Sequence, residues 1–198
     1  MKKILLLTIF SAIGLNLIAQ GGIEGANKKI SKLKKSKVDT IVSVYRYSSG
    51  MTMETKKGKD CFLTASQMLF WVKDGECFKQ AFDNCKDYDE KKIDSTLYIA
   101  SIRDSIKVIK DAEIKPVKCV FRDMDGVAHY KKNNAPIHSK FTDITFYIGA
   151  ATLTKKIDHY HINTENCDEE HINDNFETNM GSILKRFFDE ADREFRDK

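Results

Sequence analysis

Phe70-Trp71-Val72-Lys73-Asp74-Gly75-Glu76-Cys77-Phe78 closes an apolar-rich run that starts at Leu63 and turns the chain back toward Phe82. Asp-Gly between two such runs reads as a two-residue hairpin loop, because both central positions of that turn need a positive φ. The implied register sets Lys73 opposite Glu76, Val72 opposite Cys77 and Trp71 opposite Phe78. One face then gains an aromatic pair and the tip a charge pair.

Working outward, Asp125-Gly126 marks a second hairpin joining 117–121 to 127–130. The β-branched and aromatic residues over 38–47 read as a strand that ends at Ser48-Ser49-Gly50, and 141–148 and 153–162 read as two more, separated by Gly149, Ala150 and Ala151. Leu97, Ile102, Ile106 and Ile109 recur near helical spacing behind Ser95 as N-cap, which predicts a helix over 95–112 stopped by Pro116. Phe176, Met180, Ile183, Leu184, Phe187, Phe188, Ala191 and Phe195 predict one long C-terminal helix, opened by Asp174 and Glu177 in the manner of a capping box. The fold class is therefore α+β: an antiparallel sheet of about six strands with a middle helix and a C-terminal helix packed on it.

Met1-Lys2-Lys3 followed by the apolar run 4–10, with Ala19 before Gln20-Gly21-Gly22, has the layout of a secretory leader over 1–19. The run is too short and too interrupted by Ser11, Gly14 and Asn16 for a spanning helix. No Cys lies there to accept a lipid. The expected product is periplasmic or secreted, with no membrane span after cleavage. Residues 20–37, with six lysines between Lys28 and Lys37, read as a flexible lysine-rich lead-in, and 38–198 as a single domain. The chain carries 33 basic and 29 acidic residues; the leader removes two lysines and no acid, which leaves a mature charge of +2. That balance, in an exported protein, argues against a nucleic-acid partner.

Cys61, Cys77, Cys85, Cys119 and Cys167 make an odd set, so an oxidising compartment leaves at least one thiol outside intrachain bridges. Connectivity is not readable; Cys61 and Cys85 read as the more exposed and are the first pair to test for a bridge, while Cys77 and Cys119 read as buried small hydrophobes.

Two imidazoles in Asp158-His159-Tyr160-His161 would share one face if that segment were a strand. With His171 they form a candidate metal set, zinc being the ion that such ligands suit, with Cys167 or His138 as a fourth ligand and Asp158 or Glu170 as base toward metal-bound water. The competing reading leaves these histidines on a solvated edge or as satisfied core groups. No local signature of a thiol or serine nucleophile is present, and neither glycine pattern for cradling phosphate occurs. Asp123-x-Asp125-Gly126 lacks the later acidic ligand of a calcium loop and is better explained as a turn. Trp71, Phe78, Phe82 and Tyr88 read as core rather than as a binding platform.

At Phe70-Trp71-Val72-Lys73-Asp74-Gly75 with Phe82-Asp83-Asn84-Cys85, and again at Ile114-Lys115-Pro116, the sequence resembles small exported bacterial proteins without assigned activity. The resemblance implies export and supplies no catalytic residue. Together these features point to a non-enzymatic exported module that binds a protein, peptide or envelope polymer. The alternative is a metal-binding protein or metal-dependent hydrolase built on the histidines.

Overall fold

The structure, a computed structural model, describes residues 21–49, 65–83, 86–94, 96–132, 136, 139–168 and 171–196. The leader at 1–19, the Ser95 cap and the Cys61–Cys85 pairing fall outside them. The elements run α1 (Gly21–Lys35), β1 (Thr40–Ser48), β2 (Ala65–Lys73), β3 (Glu76–Asp83), β4 (Lys91–Ile93), α2 (Thr96–Asp111), β5 (Lys118–Arg122), β6 (Ala128–Lys132), β7 (Lys140–Ile148), β8 (Ala151–Asp158), α3 (His159–Asn163), α4 (Phe176–Met180) and α5 (Ile183–Arg196).

The α+β class holds. Six strands pair antiparallel in the order β4-β3-β2-β1-β7-β8. Trp71 pairs with Phe78, Val72 with Cys77 and Lys73 with Glu76. Asp74 and Gly75 both adopt positive φ, 53° and 78°, as a two-residue loop matched to the strand twist requires. The Trp71 and Phe78 rings stack 5.8 Å apart. The second hairpin forms as well, with Gly126 at φ 79°, but β5 and β6 make a separate two-stranded sheet.

Residues 21–35 are helical, not a flexible lead-in. Ala26, Ile30 and Leu33 recur at helical spacing and are buried with Val38 against Ile41, Leu69, Trp71 and Phe82, so α1 covers one face of the sheet. The lysines lie on its other sides: Lys29 reaches Glu90 at 2.6 Å and sits over the Trp71 ring, and Lys34 lies over Tyr147. The helix ends in a Schellman motif. Val38 N–H bonds to Leu33 C=O at 3.1 Å and Lys37 N–H to Lys34 C=O at 3.0 Å, with Lys37 at φ 58°.

The opposite face, formed by Val42, Val44, Met68, Phe70, Ile144 and Phe146, packs under α2 through Ile102 and Ile109 and under α5 through Leu184, Phe187, Phe188, Ala191 and Phe195. With helices on both faces, the central strands bury consecutive residues. Met68, Leu69, Phe70 and Trp71 are all inside, which is why that run lacks polar alternation.

Two further expectations are corrected. The last strand stops at Asp158, whose carboxylate caps the next helix by accepting from Tyr160 N–H at 2.9 Å, so 159–163 are helical. The C-terminal helix is two helices broken at Gly181-Ser182. The first starts at Asn175 without a side-chain cap bond, so the Asp174/Glu177 box does not form, whereas the Ser182 hydroxyl accepts from Lys185 N–H and opens the second. Buried Asn179, rather than exposed Met180, faces inward from α4. Its amide receives Lys115 N–H and donates to the carbonyls of Lys115 and His161.

Candidate functional site: a cleft at the end of the sheet

The inward-facing row of β1 runs Val42, Val44, Arg46, and the change from valine to arginine marks where the core ends. Pairing places Ser66 of β2 and Thr142 of β7 beside Arg46 on that face. α5 lies above the row and α3 closes one side. Between them opens a cleft of about 530 Å³ lined by Arg46, Tyr47, Ser48, Ala65, Ser66, Lys140, Phe141, His159, Asn163, Phe188, Asp189 and Asp192.

Arg46 is held from two directions. Its guanidinium lies 4.1 Å from the Phe195 ring centroid and 5.7 Å from that of Phe188, and Nη1 bonds to Asp192 Oδ1 at 3.0 Å. Burial pulls its pKa below the ordinary arginine value, and the Asp192 carboxylate opposes that pull. For Asp192 burial acts upward, but the Arg196 hydrogen bond and the charges of Arg46 and Arg196 outweigh it, so its pKa is lowered. Asp189 accepts both of its close bonds from Lys185, one turn earlier, at 2.7 Å.

His159 enters the cleft from the first position of α3. Its Nε2 is 2.8 Å from the Thr142 hydroxyl, and its ring stands edge-on to Phe188 at 4.8 Å. Burial first, then the nearby positive charges of Arg46 and Lys140, hold its pKa below the ordinary histidine value. The imidazole is therefore neutral at pH 7.

The other histidines lie elsewhere. In a helix, residues two apart point in different directions, so the strand argument that paired His159 with His161 does not apply. His161 accepts the Val117 N–H on Nδ1 at 3.3 Å, which leaves its proton on Nε2, 3.9 Å from Asp158 Oδ2. His171 pairs through Nδ1 with Asp168 at 2.7 Å and lies against the Phe121 ring. Cys167 is bonded to Cys119 in a disulfide and has no thiolate to offer a metal. Among the described residues, no three His, Cys, Asp or Glu side chains converge as a metal-ligating group. His138 and Glu170 lie outside the described residues. The Asp123 carboxylate receives Asp125 and Val127 N–H groups and meets His129 at 2.9 Å, as a hairpin turn does.

Arg46, Lys140 and Asp192 did not emerge from sequence motifs. The legible signal is phase: Arg46 continues the inward alternation of Val42 and Val44, and a charge at that position needs either a partner or a cavity. Trp71 and Phe82 are buried, as core residues should be.

The chain was compared with protein-family models, curated proteins and solved structures, and matches none of them.

Proposed function

We propose that this protein is an exported, non-enzymatic binding module of the cell envelope that holds a polar segment of a protein, peptide or envelope polymer in the cleft beneath α5. The observation that carries this reading is the cleft itself: about 530 Å³, with cations, carboxylates and aromatic rings converging from three strands and two helices. A pocket of that size, set on rigid elements and offering a few oriented polar groups, is suited to gripping part of a ligand. The bond from His159 to buried Thr142 positions the ring as a wall of the cleft. Export is supported by the Cys119–Cys167 disulfide, a bond that persists in oxidising compartments, together with the leader-like residues 1–19. No helix among the described residues is long and apolar enough to cross a membrane.

Equilibrium dialysis of the purified protein against size-fractionated envelope peptides and polysaccharides tests the reading, with Ser66→Trp as a variant that fills the cleft. Wild type should retain a fraction that the variant, still folded by circular dichroism, releases. Equal retention by both would move the binding surface away from the cleft. Stoichiometric zinc in the untagged protein, lost in a His159→Ala, His161→Ala double variant, would favour the metal-dependent alternative.

A further inference from the structure

Arg46 has donor capacity that the fold does not use. While Nη1 is occupied by Asp192, Nε and Nη2 are buried and have no hydrogen-bond partner among the described residues. Those two N–H groups form one edge of the planar guanidinium and point in parallel, a geometry that matches the two oxygens of a carboxylate or the paired oxygens of a phosphate. Native structures leave few buried polar groups unpaired, so two unpaired donors on one guanidinium that lines a cleft call for a partner. The fork is also preorganised, since the Phe195 ring below and the Asp192 carboxylate beside it fix its plane.

The surroundings discriminate between the two anions. Arg46 and Lys140 supply two positive charges to the lining, and Asp189 and Asp192 supply two negative ones. His159 adds none near neutral pH. A monoanion seated on the fork is joined by Lys140, and the aspartates, although paired with Lys185 and Arg196, still place negative oxygens on the same lining, which a dianion would face with twice the charge. Phe141 and Phe188 line the same space and offer apolar surface to whatever carries the charged group.

We propose that the cleft captures its ligand by a free carboxylate, which accepts two parallel hydrogen bonds from Arg46 Nε and Nη2. This rests on the cleft being the binding site and adds the chemistry that it recognises. A peptide C-terminus, an acidic side chain and a uronic acid all present that group. Both donors are shielded from solvent, so a side-chain movement admits the carboxylate, and the bonds once formed are screened weakly by salt.

The test follows backbone and arginine side-chain N–H resonances by two-dimensional NMR during titration with three probes at up to ~50 mM, a range that reaches the weak affinities of small fragments. The probes are an N-acetylated dipeptide with a free C-terminus, the same dipeptide as its amide, and inorganic phosphate. The acid should shift the Arg46 Nε–H and the residues around it, and bind at least about tenfold more tightly than the amide or phosphate. Arg46→Lys keeps the charge without the fork and should abolish the preference for acid over amide. If that variant fails to fold, Lys140→Gln, at an exposed position, should still weaken acid binding while leaving amide binding unchanged. Equal binding of acid and amide within the cleft would overturn the carboxylate assignment while leaving the cleft as a binding site. Tighter binding of phosphate would overturn the monoanion assignment. Absence of any shift around Arg46 with all three probes would overturn the proposal altogether.

Discussion

His159 gives the fold a pH dependence of definite sign. Its folded-state pKa lies below the ordinary value, principally through burial and then through Arg46 and Lys140. In the window between that folded value and about 6.5, where free histidine titrates, the unfolded chain binds more protons than the folded one. The contribution to stability is therefore complete above about pH 6.5 and is lost as pH falls toward the folded pKa. Urea midpoints measured from pH 7.5 downward should decline more steeply for wild type than for His159→Gln, which cannot titrate. Parallel curves would show that protonating this ring costs the fold nothing. His159 was legible in the sequence as a residue of interest, but for a reason that the structure replaces. The H-x-H spacing suggested a shared face because 153–162 reads as one β-rich run. Asp158 ends that run by capping a helix, a local competition between two hydrogen-bonding schemes that residue propensity alone does not decide. Arg46 was less visible still: a single charge in a strand gains meaning only once its phase and its neighbours across the sheet are known.

Among the elements, α1 is where composition and periodicity disagree and periodicity prevails. Six lysines in ten residues suggest a solvated arm, yet Ala26, Ile30, Leu33 and Val38 are enough to seat the segment on Trp71 and Phe82. Composition masks the narrow stripe because a lysine adjoins Ile30, Leu33 and Val38 in the sequence. The long stems of Lys29 and Lys34 extend the covered surface by lying across aromatic rings. If α1 is an integral layer, Ile30→Ala and Leu33→Ala should each lower unfolding free energy by about 2–4 kcal/mol. Lys32→Gln and Lys35→Gln, on the exposed side, should each stay within about 0.5 kcal/mol of wild type. An arm hanging free of the sheet would leave all four variants unchanged in urea, so one set of denaturation curves separates the two descriptions. The break in the C-terminal helix carries the same lesson. An apolar stripe sustained through 176–195 hid Gly181-Ser182, a weak helix former followed by a good N-cap. The paired hairpin residues around Asp74-Gly75 were fully legible, because the turn chemistry and the strand pattern there demand the same register.

Across the whole molecule, the small β5–β6 sheet must be attached to a body whose six-stranded sheet it does not join, and side chains make much of that attachment, beside a short backbone bridge in which Asp174 N–H bonds to Lys118 C=O at 2.9 Å. The Cys119–Cys167 disulfide ties β5 to the loop after α3. Asn173 then receives Lys118 N–H and donates to Thr164 C=O, Asn175 donates to Pro116 C=O, and Asn179 secures Lys115. These contacts were invisible in the sequence, since five cysteines permit many pairings and an asparagine carries no mark of what it will bond. The bridge spans 48 positions, and in the chain-entropy account closing a loop of that length constrains the denatured ensemble by roughly 4 kcal/mol, before any native-state strain is subtracted. A Cys119→Ala, Cys167→Ala double variant should therefore lose about 2–4 kcal/mol in urea unfolding. Its folded spectrum should change little, because the asparagine bonds hold the same segments together. Both cysteines lie away from the cleft residues, so ligand affinity measured well below the unfolding transition should match wild type. A stability loss under about 1 kcal/mol would indicate that the denatured chain already keeps β5 near residues 164–175 without the covalent link. Loss of affinity at full folding would instead mean that the bridge is coupled to the cleft through α3, a short helix that meets Val117 through His161 and the cleft through His159.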